Sequence, residues 1–210
     1  MRNPFGSSEE VDVMKPNGER VPRYSSGWKL LLKHLQESES QKILDIGPTS
    51  SININYITKL GHSVFMADLV QEAARPEWVI EVDGEKKFDV DRFIDENLEF
   101  AGRTFDVVLF WDTADYMPEV LLAPVLAKIH AAMRPGGLML AFFHAKKEGN
   151  DVSFSRYHLT AGENVEVQAA GRYPLLQIFN NRQIENLLNA FAGYRFFLAK
   201  DNLREVIVTR

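Results

Sequence analysis

The chain has 210 residues, of which 45% are apolar, and it carries a formal net charge of -5. This length and composition suit one large domain, or one domain with an appendage, that buries a full hydrophobic core. The absence of cysteine excludes disulfides, thiolate chemistry and zinc–cysteine sites. A negative net charge without a run of Lys and Arg argues against nucleic acid as the main partner.

The amino-terminal segment, residues 1–27, is polar with scattered proline and charge, and it predicts a mobile arm or a lid. We expect the main domain to span residues 28–210. The first residues form no apolar signal segment. The longest apolar runs, such as Leu138–Phe143, are far shorter than the ~20 residues that a membrane helix needs. We therefore expect a soluble cytoplasmic protein without a membrane partner.

A strand, a tight turn and a helix amino terminus follow one another within Lys42–Ser51. A short apolar run leads into Asp45, Gly47 and Pro48 are turn residues, and Thr49 begins a run of hydroxyl side chains. In an open α/β sheet this order builds a nucleotide-cofactor site at the carboxyl end of the strand. Before it, apolar residues at helical spacing predict a helix that starts near Trp28.

A second strand is predicted at His62–Asp68, after a helix over Ile52–Leu60 that Gly61 closes. The order is a βαβ unit, which implies a parallel pair of strands. An acid at the end of the second strand, here Asp68, can accept hydrogen bonds from ribose hydroxyls. Residues 70–100 leave the position of the third strand undecided.

Two buried strands follow, and each ends at polar residues. Phe105–Trp111 is apolar on both faces and ends at Asp112, and residues 138–143 end at His144. His144 is the candidate general base because it would lie beside the expected substrate mouth, although a histidine satisfied by the backbone fits equally well. Asp115 could orient a substrate, but we favour a role in capping the next helix.

An inserted hairpin is predicted within residues 146–177, from two strand-like runs at Phe154–Leu159 and Val165–Val167. Its cationic and aromatic side chains would suit a carboxylate-bearing or aromatic substrate. A solvated hairpin that only covers the site is an equal alternative. A final helix and an antiparallel hairpin close the chain. No spacing of histidines and acids resembles a metal site.

These pieces together resemble a class I S-adenosylmethionine-dependent methyltransferase. The matching pieces, in order, are Ile43–Gly47, Asp68, Asn97–Phe100, Phe105–Val108 and Ala132–Leu140. The resemblance spans roughly residues 28–210 without the hairpin insertion. It implies a doubly wound, mostly parallel seven-stranded sheet with an antiparallel carboxyl-terminal hairpin strand. Only the first of the family's three loop glycines is present.

The resemblance also implies a cofactor site for S-adenosylmethionine. Residues expected at the methionyl end are Asp45, Gly47, Pro48, Thr49, Trp111 and Asp112. Asp68 would bind the ribose hydroxyls, Leu69 would pack on the adenine, and Asn97 and Leu98 would meet the adenine edge. His144 is the expected catalytic residue, and the methyl acceptor is an unidentified small molecule or protein.

Two alternatives stay open at this point. A cofactor-binding protein that has lost catalysis is suggested by the missing loop glycines. A nicotinamide-dinucleotide oxidoreductase is disfavoured because a diphosphate calls for a glycine-rich turn, and this loop has one glycine before Pro48.

Overall fold

The computed structural model describes residues 18–48, 50–146, 153–197 and 201–210. Thr49, which we expected at the cofactor, lies outside the described residues. The strands are β1 (Val21–Tyr24), β2 (Lys42–Ile46), β3 (Ser63–Ala67), β4 (Val79–Val82), β5 (Glu85–Phe88), β6 (Phe105–Trp111), β7 (Met133–His144), β8 (Ser153–Leu159), β9 (Asn164–Arg172), β10 (Gly193–Phe197) and β11 (Leu203–Thr209). The helices are α1 (Ser26–Glu37), α2 (Ser51–Lys59), α3 (Leu69–Ala73), α4 (Val90–Asn97), α5 (Thr113–Tyr116), α6 (Glu119–Ala132) and α7 (Asn181–Leu187), with a 3-10 turn at Pro76–Trp78.

The central sheet has the strand order β10-β11-β7-β6-β2-β3. Strands β2, β3, β6 and β7 are parallel, and β11 and β10 add to β7 in antiparallel fashion. This confirms the mostly parallel sheet and its antiparallel carboxyl-terminal hairpin. Strands β3 and β6 lie on opposite sides of β2, so the order of strand addition reverses there. Ligands of open α/β sheets bind at the carboxyl ends of strands that flank such a point.

The prediction of seven strands is not confirmed, because six strands form this sheet within the described residues. Residues 79–88 instead form a separate hairpin of β4 and β5, joined at Asp83-Gly84. Both turn residues have positive φ, 55° and 77°, which a tight two-residue hairpin turn requires and an Asp-Gly pair supplies. The two strands leave most side chains exposed, so they lack the two apolar faces of an inner parallel strand.

Helices cover both faces of the central sheet because its parallel strands are apolar on both sides. Along β6, Val107 and Leu109 pack with residues of α1 and α2. The alternate residues, Val108 and Phe110, pack with residues of α4, α6 and α7. The structure is thus the expected doubly wound α/β fold. No helix in the described part of the chain is long and apolar enough to cross a membrane.

A second sheet of three antiparallel strands, in the order β1-β9-β8, packs on the side of α1 and α2. Its inward residues Tyr157, Leu159 and Val165 share a core cluster with those two helices. Strands β8 and β9 are the predicted insertion hairpin, longer at β9 than the sequence indicated. Strand β1 comes from within residues 1–27 and pairs with β9.

Glu205 of β11 fixes the start of α1 against the central sheet. Its carboxylate is 2% exposed and accepts hydrogen bonds from the Ser25 hydroxyl, the Gly27 amide and the Arg23 guanidinium. The hydroxyl of Ser25 also accepts from the Trp28 amide and so caps the helix. Because β1 directly precedes α1, these contacts also set where the second sheet lies.

Candidate active site

Polar side chains gather at the carboxyl ends of four adjacent parallel strands. Asp45 belongs to the end of β2, Asp68 follows β3, Asp112 follows β6, and His144 ends β7. Asp45 and Asp112 flank the reversal point between β2 and β6. The sequence placed these four side chains at one edge, and the structure brings them to that edge.

The carboxylate of Asp45 is engaged by two protein donors. Its Oδ1 accepts from Trp111 Nε1 at 2.7 Å and its Oδ2 from Asn53 Nδ2 at 3.0 Å. The side chain is buried, and burial raises the pKa of Asp45 to about 6, although both hydrogen bonds oppose that rise. Asp45 therefore changes charge close to neutral pH.

The indole of Trp111 covers Gly47. Trp111 has φ of +48°, which turns its side chain at the end of β6 back toward β2. A Cβ atom on Gly47 would lie 3.1 Å from Trp111 Cδ1, so a side chain there would force the indole to move. The indole also stacks on the Tyr157 ring, with centroids 4.9 Å apart and planes 11° apart. The two rings therefore fill the space beside the loop.

Asn53 ties α2 to the second sheet. Its Nδ2 donates to Asp45 and to the Tyr157 carbonyl at 3.0 Å, and its Oδ1 accepts from the Leu159 amide at 2.7 Å. The residue is 1% exposed. This one amide thus links the site carboxylate, the helix that follows the loop, and strand β8.

A second polar group lies at the ends of β6 and β7. Asp112 Oδ2 accepts from the Tyr157 hydroxyl at 3.0 Å, and burial raises the pKa of Asp112 to about 7. Asp115 binds His144, so our expectation that its carboxylate caps a helix is wrong. Among the described residues, Asp112 Oδ1, Asp115 Oδ1 and Tyr116 Oη are buried and have no hydrogen-bond partner. Such buried atoms call for a polar ligand or water.

Asp68 lies at the other side of β2 and is only half-buried. Its Oδ1 accepts from the Gln71 amide at 3.1 Å and so caps α3. Burial raises its pKa, while the nearby Arg156 guanidinium of β8 lowers it. The second sheet therefore contributes a cation close to this acid.

Of the other residues expected at the cofactor, Pro48 lies in the loop, Leu69 packs in the core, and Asn97 and Leu98 do not lie at the carboxyl edge. Pro48 is half-buried beside Gly47. Leu69 is 1% exposed and packs in the hydrophobic core, so it is not presented for stacking on an adenine. Asn97 ends α4 with its Nδ2 bound to a backbone carbonyl, and Leu98 is also core. A helix that connects two parallel strands returns the chain to the amino end of the next strand. Asn97 and Leu98, at the end of α4, therefore lie near the amino end of β6, at the opposite end of the strands from the carboxyl edge.

No cluster of potential metal ligands occurs among the described residues. Two open clefts of about 530 Å³ and about 590 Å³ lie beside α1 and between α4 and α6. Neither cleft is lined by the carboxyl-edge residues. The chemistry at that edge, and not the size of a cleft, identifies the site.

The sequence did not predict Asn53 as a residue of the site, nor did it predict the partners of Tyr157 and Asp115, although it placed Tyr157 in the insertion and Asp115 after a buried strand. Asn53 shares the buried face of α2 with Ile57, and a polar residue on such a face indicates a buried hydrogen bond. The contacts of Tyr157 gave no comparable signal, because Asp112 and Trp111 lie on other elements.

Comparison with known proteins gives two kinds of match. A family model described as a methyltransferase domain matches residues 19–195. A protein from Pyrococcus horikoshii OT3 is similar in structure, with a TM-score of 0.52, 13% identity, and 87% of this chain and 88% of that chain covered. A SAM-dependent methyltransferase from Methanosarcina mazei has a TM-score of 0.50 at 16% identity, covering 85% and 96%. No curated protein sequence matched significantly.

A doubly wound sheet with acids at the ends of its central strands is the arrangement of a nucleotide-cofactor enzyme. The family match covers most of the chain, and the two structural likenesses agree in fold. The chain belongs to the methyltransferase-domain family, and it is an enzyme of the class I type that uses S-adenosylmethionine as methyl donor. Neither alternative that the sequence left open is supported.

The side chains at the carboxyl edge fit this cofactor chemically. S-adenosylmethionine carries an ammonium group and ribose hydroxyls, which donate hydrogen bonds to carboxylates. The edge offers Asp45, Asp68 and Asp112, and Asp112 Oδ1 is buried without a partner among the described residues. The donor set therefore suits the cofactor, while the Trp111 and Tyr157 rings fill the space beside Gly47.

Proposed function

We propose that the enzyme methylates a small-molecule or protein acceptor at the crevice between β2 and β6, with His144 as general base. The main support is the meeting of Asp45, Asp112 and Gly47 at the strand-order reversal, where Asp112 Oδ1 lacks a partner among the described residues. The bound sulfonium supplies a reactive methyl group, so the protein's part is to bind, align and exclude water.

In this proposal Asp45 and Asp112 hold the methionyl end of the cofactor, and Asp68 accepts hydrogen bonds from the ribose hydroxyls. Gly47 allows the backbone to approach the cofactor closely. His144 takes the proton of a nucleophile that arrives protonated. Leu69, Asn97 and Leu98 have no role in it, because they pack elsewhere.

Binding at Asp45 also involves the aromatic rings over the loop. Both Asp45 oxygens already accept hydrogen bonds, one of them from Trp111. We propose that the Trp111 indole moves away from Asp45 when the cofactor enters, which frees Asp45 Oδ1 for the cofactor ammonium and separates the stack of Trp111 on Tyr157.

Calorimetric titration with S-adenosylmethionine and S-adenosylhomocysteine tests the cofactor site directly. We expect micromolar affinity for both, which corresponds to about 8 kcal/mol of binding free energy. Binding to neither compound by a protein that circular dichroism shows to be folded would contradict the proposal.

Tryptophan fluorescence during the same titration tests the movement of the stack. We expect emission to change on binding, and the change to disappear in Trp111→Phe. Trp78→Phe is the matched control: Trp78 is buried in the opposite core and its Nε1 has no partner among the described residues. A response that depends on Trp78 and not on Trp111 would contradict the movement.

A further inference from the structure

Arg156 of β8 is a half-buried cation without a partner. Its Nε atom is buried and donates to no acceptor, and its guanidinium forms no ion pair with any described residue. Arg20, which like Arg156 lies near His158, is compensated by Glu166 at 3.7 Å. Arginine is rarely buried without an acid beside it, because the charge loses its hydration. The guanidinium of Arg156 therefore has donors that are open to an anion.

The register of β8 places Arg156 beside the loop that follows β2. Arg156 pairs with Gln168 of β9, and His158, two residues further along β8, projects from the same face. The Nδ1 atom of His158 lies 2.7 Å from the hydroxyl of Ser50, and its Nε2 donates to Gln168 Oε1 at 2.9 Å. Ser50 ends the loop and caps α2. This face of β8 therefore borders the loop at which the cofactor is expected.

Strand β8 also reaches across the carboxyl edge of the central sheet. Tyr157 projects from the face opposite to Arg156 and donates to Asp112 at the end of β6. Burial lowers the pKa of Arg156, and the nearby Asp68 carboxylate raises it. The two groups form no ion pair with each other, and Asp68 Oδ1 caps α3. Arg156 thus lies on the side of the crevice where the proposed function places the ribose.

The carboxylate of the cofactor is not the anion that this position suits. In S-adenosylmethionine the ammonium and the carboxylate are bonded to the same carbon, so both lie at the methionyl end. The proposed function places that end at Asp45 and Asp112, whereas Arg156 lies near Asp68. The sulfonium is between the methionyl end and the ribose. An acceptor that meets the sulfonium can therefore extend toward Arg156.

Charge favours a carboxylate over a phosphate at this position. A guanidinium binds either anion through two parallel N–H···O bonds. Asp68 already contributes one negative charge near Arg156, and repulsion grows with the charge of the ligand. A phosphate dianion meets twice the repulsion that a carboxylate meets from Asp68. The singly charged carboxylate is therefore the better ligand.

We infer that Arg156 determines acceptor specificity by binding a carboxylate of the methyl acceptor, which makes the substrate class small carboxylic acids. This inference rests on the proposed function, because it assigns a part of the acceptor that the cofactor site leaves open. The acid reaches a buried Nε atom inside the crevice, which a small molecule enters and the surface of a folded protein does not. Replacing the carboxylate by an amide keeps the shape of the ligand and removes the charge that Arg156 binds.

Proton–nitrogen NMR of the nitrogen-labelled full chain, saturated with S-adenosylhomocysteine, tests the inference. The Nε–H signal of Arg156 is assigned by its loss in Arg156→Gln, or in Arg156→Lys if the first variant does not fold. We expect benzoate and phenylacetate to shift this signal with millimolar affinity at constant ionic strength, and benzamide and phenylacetamide to leave it in place. Arg195 is the matched control, because its guanidinium is exposed and lies over the Phe197 ring. Its Nε–H signal should not move.

Two further measurements identify the source of the anion. In calorimetry, S-adenosylhomocysteine should bind Arg156→Gln as tightly as it binds the unmodified protein. Methylthioadenosine, which lacks the amino-acid end, should leave the Arg156 signal at the same place as S-adenosylhomocysteine does. Benzoate binding to Arg156→Gln, followed at the Tyr157 amide, should weaken about tenfold, because a charge-assisted hydrogen bond is lost.

Every outcome decides the inference. It is overturned if neither acid shifts the Arg156 signal, if the amides shift it equally, or if inorganic phosphate binds there more tightly than benzoate. Lower affinity of folded Arg156→Gln for S-adenosylhomocysteine would assign the anion to the cofactor and would also overturn it. Absence of S-adenosylhomocysteine binding by the unmodified protein would overturn the proposed function, and the inference with it. That result comes from calorimetry before any acid is added, so the two failures are distinguishable.

Discussion

Asp68 combines a structural and a proposed cofactor-binding task in one carboxylate, and substitution can separate them. Asp68→Asn keeps the cap of α3, because asparagine caps helices as well as aspartate. It removes the charge that ribose hydroxyls would bind. We expect affinity for S-adenosylhomocysteine to fall by about 1–3 kcal/mol in calorimetry, while the midpoint of thermal unfolding stays nearly unchanged.

Asp68→Ala is the matched comparison, since it removes the cap as well. We expect the same loss of affinity together with about 1 kcal/mol of lost stability. Unchanged affinity in both variants would remove Asp68 from the cofactor site and leave it only as a helix cap.

The positions of the site acids could be predicted from the sequence, but their hydrogen-bond partners could not. Asp45, Asp68 and Asp112 were placed at one edge because each follows a recognisable strand, and parallel strands share their carboxyl edge. Their partners were not predictable in the same way. The Asp45 carboxylate is bound by Trp111, 66 positions away in the chain, and only three-dimensional packing brings the two together.

Among the elements, the contact between α2 and β8 depends on one amide. Asn53→Ala removes two donors and one acceptor, which leaves Asp45 Oδ2 and the Leu159 amide buried without their partner. We expect a loss of about 2–4 kcal/mol in the free energy of unfolding by urea, because buried unsatisfied groups keep their desolvation penalty.

The matched control for that change is Asn55→Ala on the exposed side of the same helix. Its stability should remain within about 0.5 kcal/mol of the unmodified protein. Faster amide exchange in β8 of Asn53→Ala, without change in β10, would locate the effect at the contact. Equal losses in the two variants would show that helix propensity, and not the tie to β8, accounts for the change.

Element prediction succeeded where one pattern dominated and failed where two competed. Residues 105–111 were recognisable as a buried strand because both faces are apolar. Within residues 70–100 the sequence left the third strand undecided, and the Asp83-Gly84 turn folds residues 79–88 back on themselves as a separate hairpin. The contribution of β1 to the second sheet could not be predicted, because its pairing with β9 joins residues far apart in the chain.

At the scale of the whole molecule, the burial of acidic side chains at the carboxyl edge makes the stability of the fold depend on pH. Burial raises the pKa of Asp112 to about 7, against about 3.9 for an unfolded aspartate. Between these values the folded protein binds more protons than the unfolded chain. Its stability therefore falls as pH rises through this range. For Asp112 alone we expect about 2–3 kcal/mol of loss between pH 5 and pH 8.

Comparison with Asp112→Asn isolates the contribution of the Asp112 carboxyl group to stability from the contributions of other groups that titrate between pH 5 and pH 8. Burial lowers the pKa of His158, which acts in the opposite direction, and burial raises that of Asp45, which acts in the same direction. Both groups are present in the variant as well. The amide oxygen of the variant can still accept from the Tyr157 hydroxyl. The difference in unfolding free energy, variant minus unmodified protein, should therefore grow with pH.

Urea denaturation at several pH values from 5 to 8 measures that difference. Glu39→Gln provides the control, because it removes one exposed carboxylate from a surface loop. Its curve should run parallel to that of the unmodified protein at every pH. If the Asp112→Asn curve is parallel too, the carboxylate is ionised throughout this range. Asp112 would then be reached by water or by a counter-charge, and the edge would be open in solution instead of sealed by Trp111 and Tyr157.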